Sequence, residues 1–350
     1  MMNDLYDLQL FAGEANTQTT GHGGLSAEMK TYYGMELLEN AKPQLVHNQF
    51  AATKPLPTGG GKTVEWRKFG SFEKALTPLT EGVTPDGSGI SVSYITKELA
   101  QYGDYTTVSD LLDLTAIDDV VLEITDRHGS NMGLTLDTVT RNEIQQGSQV
   151  IYAPKLGADG GQTAVLHRYD LTEGCKLTSE LVAKAATQLK KMNAPTFEGK
   201  YVCILHPSVA FDLRQDPAWV AAHQYAAATE LFSGEIGELH GVRFIETTEA
   251  KVFNGEGCPV KTAADESNGT PAEYYSVYAT LFLGKDAYGM IDPEGGNMEM
   301  IIKDKGQVGG PLNQFSTLGY KFSSAAKILY QDRMVRVESC GAYSAEDEAN

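Results

Sequence analysis

The sequence lacks any long hydrophobic run. None of its 350 residues belongs to an apolar stretch that approaches the ~20 residues required by a membrane-spanning helix. The first twelve residues contain Asp4 and Asp7 but no basic residue, whereas a secretory signal begins with a cationic stretch followed by an apolar one. We therefore predict no membrane partner and a protein made in a cytoplasm.

Cysteine and histidine are scarce, and neither has the spacing of a metal site. The four cysteines form no Cys-x-x-Cys pair, and no two of the seven histidines lie three to five positions apart. Zinc sites and disulfide frameworks need clustered or paired spacing, and the His-Glu-x-x-His and calcium-loop patterns are missing. The sequence thus predicts reduced thiols, no metal and no cofactor.

Positive charge is also in short supply. The chain has 28 Lys and Arg against 46 Asp and Glu, a net charge of −18. Two basic pairs, Arg67–Lys68 and Lys190–Lys191, stand isolated. Because nucleic-acid affinity depends largely on neutralising phosphates, we predict that the protein does not bind DNA or RNA specifically.

The glycine-rich stretch 59–63 resembles the end of a phosphate-binding P-loop. The full motif places a further glycine five positions before Gly61, and Leu56 stands there. It also needs a preceding strand and a following helix, whereas a proline-containing link precedes this stretch and a strand pattern follows it. We therefore interpret Gly59, Gly60 and Gly61 as hinges.

Catalytic motifs are missing as well. No Gly-x-Ser-x-Gly elbow occurs, and no Gly-x-Gly-x-x-Gly stands between a strand and a helix. Cys203 and His206 are close in sequence, but we find no third group to orient them, as nucleophilic catalysis requires. A buried thiol and a helix-capping histidine are the better interpretation, and we predict no catalytic residue.

A long β-hairpin is the first feature that the sequence does contain. Apolar and polar residues alternate over 63–69 and again over 90–96, which predicts two strands. Between them, Pro78, Pro85 and the pair Asp86-Gly87 predict an extended tip.

The predicted hairpin needs a partner. Two strands alone cannot bury both faces, and we find no obvious partner strand nearby in the sequence. We therefore predict that its apolar residues contact a neighbouring subunit; these are Val64, Trp66, Ile90, Val92 and Tyr94.

A long helix is the second feature. Apolar residues recur with a period of 3.6 from Thr115 onward, which predicts a helix over 118–146 that is about 43 Å long. The rest of the chain mixes both element types, so the fold class is α+β. We predict further helices at 25–45, 178–192, 207–214 and 217–231, strands at 200–205, 242–246, 277–283 and 320–330, an exposed loop at 251–273 and an acidic tail at 345–350.

This order of elements resembles the major capsid proteins of tailed bacteriophages, which have the Johnson or Hong Kong ninety-seven-type fold, and within them the N-four type family. The resemblance runs from about residue 25 to about residue 340. The stretches that carry it are LSAEMKTYY (25–33), GGKTVEWRKF (60–69), ALTPLTEGVTPDG (75–87), QYGDY (101–105), GLTLDTVTRN (133–142), FSGEIG (232–237), GVRFIET (241–247) and FLGKDAYG (282–289).

The resemblance implies a domain scheme. An N-terminal arm (1–50) would precede an E-loop hairpin with flanking strands (51–114). A spine helix and peripheral P-domain (115–176) would follow, then an axial A-domain (177–290), the closing P-domain strands (291–340) and the acidic tail (341–350).

It also implies a function. The chain would assemble with copies of itself into hexamers and pentamers, forming an icosahedral shell that encloses double-stranded DNA without binding it specifically. Assembly would take place in the host bacterial cytoplasm, and the final location would be the virion. The segment before Leu25 is too short for an internal scaffold, so separate scaffolding and portal proteins are the expected partners.

Two alternatives remain. An encapsulin-like bacterial nanocompartment shell has the same fold but encloses enzymes. A hydrolase with an unrecognised site is a further possibility from a different class of protein.

Overall fold

The computed structural model describes residues 45–57, 59–70, 72, 74–78, 81–82, 84, 87, 89–115, 120–157, 161–223, 235–262, 272–293, 298–308, 312–344 and 347–350. The predicted helix at 25–45, much of the hairpin tip and the end of the predicted helix at 217–231 lie outside these residues. Within them, no helix is long and apolar enough to cross a membrane.

Five α-helices and nineteen strands are found in the described residues. The helices are α1 (Asp110–Thr115), α2 (Val120–Ile144), α3 (Ser179–Lys191), α4 (Pro207–Arg214) and α5 (Pro217–His223). The strands are β1 (Ala52–Leu56), β2 (Thr63–Phe69), β3 (Val92–Glu98), β4 (Ala100–Ser109), β5 (Val150–Tyr152), β6 (Lys155–Leu156), β7 (Gln162–Thr163), β8 (Tyr201–Leu205), β9 (Glu235–Leu239), β10 (Val242–Glu246), β11 (Val252–Phe253), β12 (Val260–Thr262), β13 (Glu273–Tyr274), β14 (Val277–Leu283), β15 (Tyr288–Pro293), β16 (Glu299–Lys303), β17 (Phe315–Ser324), β18 (Ala326–Ile328) and β19 (Met334–Cys340).

The chain forms two compact units. Among the described residues, the first unit contains 102–132 and 298–322, and the second contains 45–101, 133–293 and 323–350, each with the gaps given above. The first unit is built on a three-stranded sheet in the order β16-β17-β4. His128 of α2 packs edge-on against Tyr320 of β17, and Tyr102 stacks on Phe322.

The second unit is built on a sheet in the order β5-β19-β14-β8-β10-β9, with β11 also pairing with β14. All residues of β8 and β14 are buried. Cys203 and Phe244 belong to the apolar cluster that includes α3 and α4 residues, whereas Ile204 belongs to a second cluster with Ile144 and Phe50. The sheet is therefore covered on both faces, which explains why its central strands are continuous apolar runs.

A buried polar contact fastens the segment before β1 to the long helix α2. The backbone N–H of His47 donates to Asp137 Oδ1 at 2.7 Å, and His47 Nδ1 lies 2.6 Å from Asp137 Oδ2. Both side chains are fully buried. The hydroxyl of Tyr288 donates to the carbonyl of His47, so three distant parts of the sequence meet at one point.

Three sequence-based expectations need correction. Pro55 lies within strand β1, although sequence analysis placed it in a proline-containing link; β1 is the edge strand of the β1-β15-β18 sheet, where a missing N–H is tolerated. The predicted exposed loop at 251–273 contains the buried residues Val252 and Cys258, since β11 pairs with β14. The predicted strand at 320–330 is divided at Ala325 between β17 and β18, which belong to different sheets.

The last four residues, 347–350, are attached to the second unit. The Asp347 carboxylate accepts hydrogen bonds from Ser208 Oγ at 3.1 Å and from the Tyr278 hydroxyl at 2.6 Å. Asn350 accepts from the backbone N–H of Val252 at 2.9 Å through its side-chain oxygen. The end of the predicted acidic tail is thus part of the folded body.

Candidate subunit-contact surface

The hairpin formed by β2 and β3 has a regular antiparallel ladder. Its pairing runs from Thr63 opposite Glu98 to Phe69 opposite Val92, and Gly70 extends it with a backbone hydrogen bond of 2.8 Å to Ser91. Directly opposed residues of such a ladder lie on the same face. The register therefore divides the hairpin into two faces, which we call the inner and the outer face.

The inner face is covered by the chain's own residues except at Ser93, which is exposed. It contains Val64, Trp66, Lys68, Ser93, Ile95 and Lys97. Val64 is only 4% exposed and forms an apolar cluster with Ile291 and Ala325. The base of the hairpin is therefore a packed part of the second unit.

Trp66 lies against the backbone of β15. A Cβ atom placed on Gly289 would lie 3.1 Å from Trp66 Nε1, closer than an ordinary van der Waals contact, so a side chain at this position would have to displace the indole. One step along the same face, the Lys68 ammonium lies 4.8 Å from the centre of the Tyr330 ring, a cation–π distance. Successive inner-face residues of β2 thus all contact the body.

An ion pair fastens β3 on the same face. Lys97 Nζ lies 2.9 Å from Glu143 Oε2, and Lys327 Nζ lies 2.8 Å from Glu143 Oε1. Burial alone would raise the pKa of Glu143, but hydrogen bonds and the positive charges of the two lysines outweigh burial and lower that pKa. The carboxylate is therefore charged at neutral pH.

The outer face is exposed along its whole length. Near the base it contains the polar residues Thr63, Glu65, Thr96 and Glu98, and toward the tip it contains Arg67, Phe69, Val92 and Tyr94. Phe69 and Tyr94 are 58% and 59% exposed, and the Arg67 guanidinium lies 6.0 Å from the centre of the Tyr94 ring.

Further large apolar side chains are exposed beyond the ladder. They are Ile90, Phe72 and Leu76, the last being 82% exposed. Scattered apolar residues are normal on protein surfaces, but a group of them marks an interaction site. We call Phe69, Phe72, Leu76, Ile90, Val92 and Tyr94 the distal apolar set, and it is the candidate subunit-contact surface.

The five contact residues predicted from the sequence therefore do not lie on one face of the hairpin. Val92 and Tyr94 are exposed on the outer face, and Ile90 is exposed just beyond it. Val64 and Trp66 lie on the opposite face against Ile291, Ala325 and Gly289. The alternation within each strand identified its two faces, but it did not show which face of one strand joins which face of the other.

Sequence reasoning missed Phe69, Phe72 and Leu76. Phe69 has the same parity as the polar residues Glu65 and Arg67, so the alternation does not group it with Val64 and Trp66. Phe72 and Leu76 lie in the tip, which has no periodic pattern. The available signal was that large apolar residues occur at all in a segment that glycine and proline mark as a turn.

The predicted hinge glycines form the turn between β1 and β2. Gly59 and Gly61 have φ values of +83° and +88°, which favour glycine because a Cβ atom is disfavoured there. The backbone N–H of Gly60 donates to Pro57 O at 2.9 Å, and a Cβ on Gly60 would lie 2.9 Å from that same oxygen. All three positions therefore have a structural reason to be glycine.

Cys203 and His206 have structural roles in the second unit. The Cys203 thiol is fully buried, which raises its pKa well above the ordinary value. The His206 side chain accepts a hydrogen bond from the Ser208 N–H and caps α4. Across the part of the chain that is described, no group of three His, Cys, Asp or Glu residues is arranged to hold a metal.

Comparison with known proteins gives one family match. The family model described as phage capsid protein matches residues 91–307, which is more than half of the chain. No curated protein sequence matches it.

Several solved structures have a similar fold. The capsid protein of cyanophage P-SCSP1u is 15% identical with a TM-score of 0.59, and the match covers 84% of this chain and 87% of that one. For the capsid of Ralstonia phage GP4 the identity is 13%, the TM-score is 0.62, and the coverage is 87% and 90%. For a virus-like particle from Pyrococcus furiosus the identity is 10%, the TM-score is 0.50, and the coverage is 89% and 99%. At these identities the likeness concerns the fold.

Proposed function

The chain belongs to the phage capsid protein family, and from that premise we propose that it is the major capsid protein of a tailed phage, whose copies form hexamers and pentamers of a closed icosahedral shell around double-stranded DNA. The observation that carries this proposal is the distal apolar set. It lies on a hairpin whose inner face is already covered by the same chain.

A second copy is the partner that this surface fits. Burying one large apolar side chain contributes about 1.5–3 kcal/mol, so a surface of this kind gains stability when another protein covers it. In a shell of identical subunits every hairpin can reach an equivalent site on its neighbour, and the assembly closes without leaving unpaired surfaces.

The charge of the chain supports enclosure of DNA without specific binding. At −18 overall, the protein repels phosphates unless a local surface is basic. Packaged DNA would then be retained by the closed wall and not by direct attachment. This role needs no catalytic residue, and we propose that the protein has none.

We further propose the parts that the separate elements play. The β2–β3 hairpin corresponds to the E-loop and α2 to the spine helix, with P-domain regions at 115–176 and 291–340 and an A-domain at 177–290. Leu171 and Leu181, on the two sides of the boundary at 176/177, belong to one apolar cluster, so that boundary would not separate independent cores. Scaffolding and portal proteins would be separate partners, and assembly would occur in the host cytoplasm.

A nanocompartment shell is the alternative, because the fold alone does not separate it from a phage shell; a virus-like particle from Pyrococcus furiosus has a similar fold too. The family match favours the phage. Neighbouring genes separate the two: portal, terminase and tail genes indicate a virion, whereas an adjacent gene for an enzyme cargo indicates a compartment.

Deletion of residues 71–88 tests the role of the hairpin tip. We expect the deleted chain to fold but to form no closed shells by negative-stain electron microscopy. A second variant keeps the length of the tip and replaces Phe72 and Leu76 by serine, and its shell yield should also fall. Normal shell yields from both variants would contradict the proposed role.

A further inference from the structure

Glu143 connects three elements through one carboxylate. It lies one residue before the end of α2, with its side chain only 10% exposed. One of its oxygens pairs with Lys97 of β3, and the other pairs with Lys327 of β18, at 2.9 and 2.8 Å. Each ammonium thus has its own carboxylate oxygen.

Two of these three residues are held rigidly. Ile144, which follows Glu143, is fully buried in the core of the second unit. Lys327 lies opposite Gly289 in the ladder between β15 and β18. Lys97 belongs to the hairpin, whose inner-face residues contact the body but whose outer face is exposed, so it is the partner whose position the carboxylate helps to determine.

Apolar contacts at the hairpin base do not by themselves fix a direction. Apolar contacts such as those of Val64 with Ile291 and Ala325 resist separation, but they are non-directional and allow the hairpin to turn. Charge-assisted hydrogen bonds depend on both distance and angle. The pair between Lys97 and Glu143 therefore limits rotation where the apolar contacts do not.

The length of the strand makes a small rotation important. Seven residues of β2 span about 20 Å from Thr63 to Phe69 at ~3.3 Å per residue. A turn of about 15° at the base would move Phe69 by about 5 Å, which is the spacing of two neighbouring strands. An error of that size would misplace the distal apolar set on its partner.

We propose that Glu143 is a positioning residue that sets the direction of the hairpin relative to the body of the subunit. The proposal depends on the proposed function for its purpose, because direction matters when the hairpin has to reach a second copy. The direction of the hairpin is a property of the single subunit, and it is measurable there.

Pulsed electron–electron double resonance spectroscopy on dilute, unassembled full-length subunits tests the proposal. One spin label is placed at Ser93→Cys, an exposed position on β3, and the other at Lys190→Cys, an exposed position on α3. The four native cysteines are buried. The measured quantity is the width of the distance distribution between the labels.

We expect Lys97→Met to at least double this width, and Glu143→Gln to broaden it as well. Lys62→Met is the matched control, because Lys62 pairs at 3.2 Å with Glu98 of the same hairpin and both side chains are exposed. Its width should equal that of the parent chain. Widths in Lys97→Met and Glu143→Gln equal to that of the parent would overturn the proposal.

Shell formation by the same variants is measured separately. A broadened distribution with malformed or fewer shells supports both the positioning role and the contact with a neighbour. A broadened distribution with shells of normal yield and uniformity supports the positioning role and contradicts the proposed function of the hairpin.

Discussion

Trp66 and Tyr94 lie on opposite faces of one hairpin: Trp66 is paired with Ile95 on the inner face, and Tyr94 is paired with Arg67 on the outer face. The indole lies against Gly289 of the same chain, whereas the tyrosine ring is mostly exposed. One face therefore stabilises the subunit itself, and the other is the face that we propose contacts a neighbouring subunit.

Two valines of the hairpin provide a matched test of this division. Val64→Ala should lower the free energy of unfolding by about 2 kcal/mol, because it removes two buried methyl groups and leaves a cavity. Val92→Ala should lower it by less than about 0.5 kcal/mol, since Val92 is 38% exposed. Chemical denaturation of the unassembled subunit measures both. Equal losses would show that the two faces are not distinct.

Gly289→Ala tests the contact with Trp66. The added methyl group would lie 3.1 Å from Trp66 Nε1 and 3.1 Å from Leu329 Cδ1, so we expect a loss of about 1–3 kcal/mol from overpacking and a change in tryptophan fluorescence. Gly174→Ala is the control, because nothing lies within 4 Å of its Cβ position. An unchanged stability in Gly289→Ala would mean that the indole does not need this space.

Asp137→Ala tests the attachment of His47 to α2. The substitution leaves the buried backbone N–H of His47 without its acceptor, so we expect a loss of about 3 kcal/mol. Glu123→Ala removes an exposed carboxylate of the same helix, which pairs with Arg127 at 2.9 Å, and should cost less than about 0.5 kcal/mol. Thermal or urea unfolding compares the two, and similar small losses would refute the role of the buried contact.

His128 should make the first unit less stable in mild acid. Burial lowers the pKa of His128, and the opposing effects of Asp104 and of a hydrogen bond to the Leu318 backbone do not cancel this. The unfolded histidine has a pKa of about 6.5, so below that pH the unfolded state binds more protons. The stability is therefore full above about pH 6.5 and declines as the pH falls toward the folded pKa.

Urea unfolding at about pH 7.5 and about pH 5.5 checks this expectation, because the interval includes the histidine titration. His128→Gln cannot titrate and should show a smaller loss between the two conditions than the parent chain. The pKa of His206 is also lowered by burial, so part of the dependence should remain. An identical loss in His128→Gln and the parent would contradict the account.

Much of the fold follows from the sequence. The strands at 63–69, 242–246 and 277–283 and the helix at 207–214 have the bounds that periodicity predicts. The predicted helix at 178–192 is found at Ser179–Lys191, with Thr178 accepting a hydrogen bond from the Leu181 N–H as its cap. These segments have strong local signals, namely clear alternation, a proline at the first helical position or a capping residue.

The register of the hairpin does not follow from the sequence. The second strand is found at Val92–Glu98, two residues later than predicted, and the tip before it has no pattern that fixes its length. Since a shift of one residue moves every side chain to the other face, the pairing of Tyr94 with Arg67 needed the structure. The burial of Val64 against Ile291 and Ala325 likewise depends on residues far away in the sequence.

Sequence analysis did not predict the strands β4 and β16, for a related reason. Ala100–Ser109 contains Gly103 and mostly polar residues, and Glu299–Lys303 is short. Gly103 is explained by close packing, since a Cβ there would lie 2.6 Å from the carbonyl oxygen of Tyr320. Their strand character comes from pairing with β17, which no local pattern reports.

Hydroxyl-radical footprinting of the chain before and after shell assembly tests the central claim most directly. Phe69 and Tyr94 are predicted to be oxidised readily in the free subunit and several-fold less in shells, because a second copy covers them. Phe282, which is buried within the subunit, should stay unmodified in both states. Equal oxidation of Phe69 and Tyr94 in subunits and shells would contradict the claim that this face of the hairpin is a contact between copies.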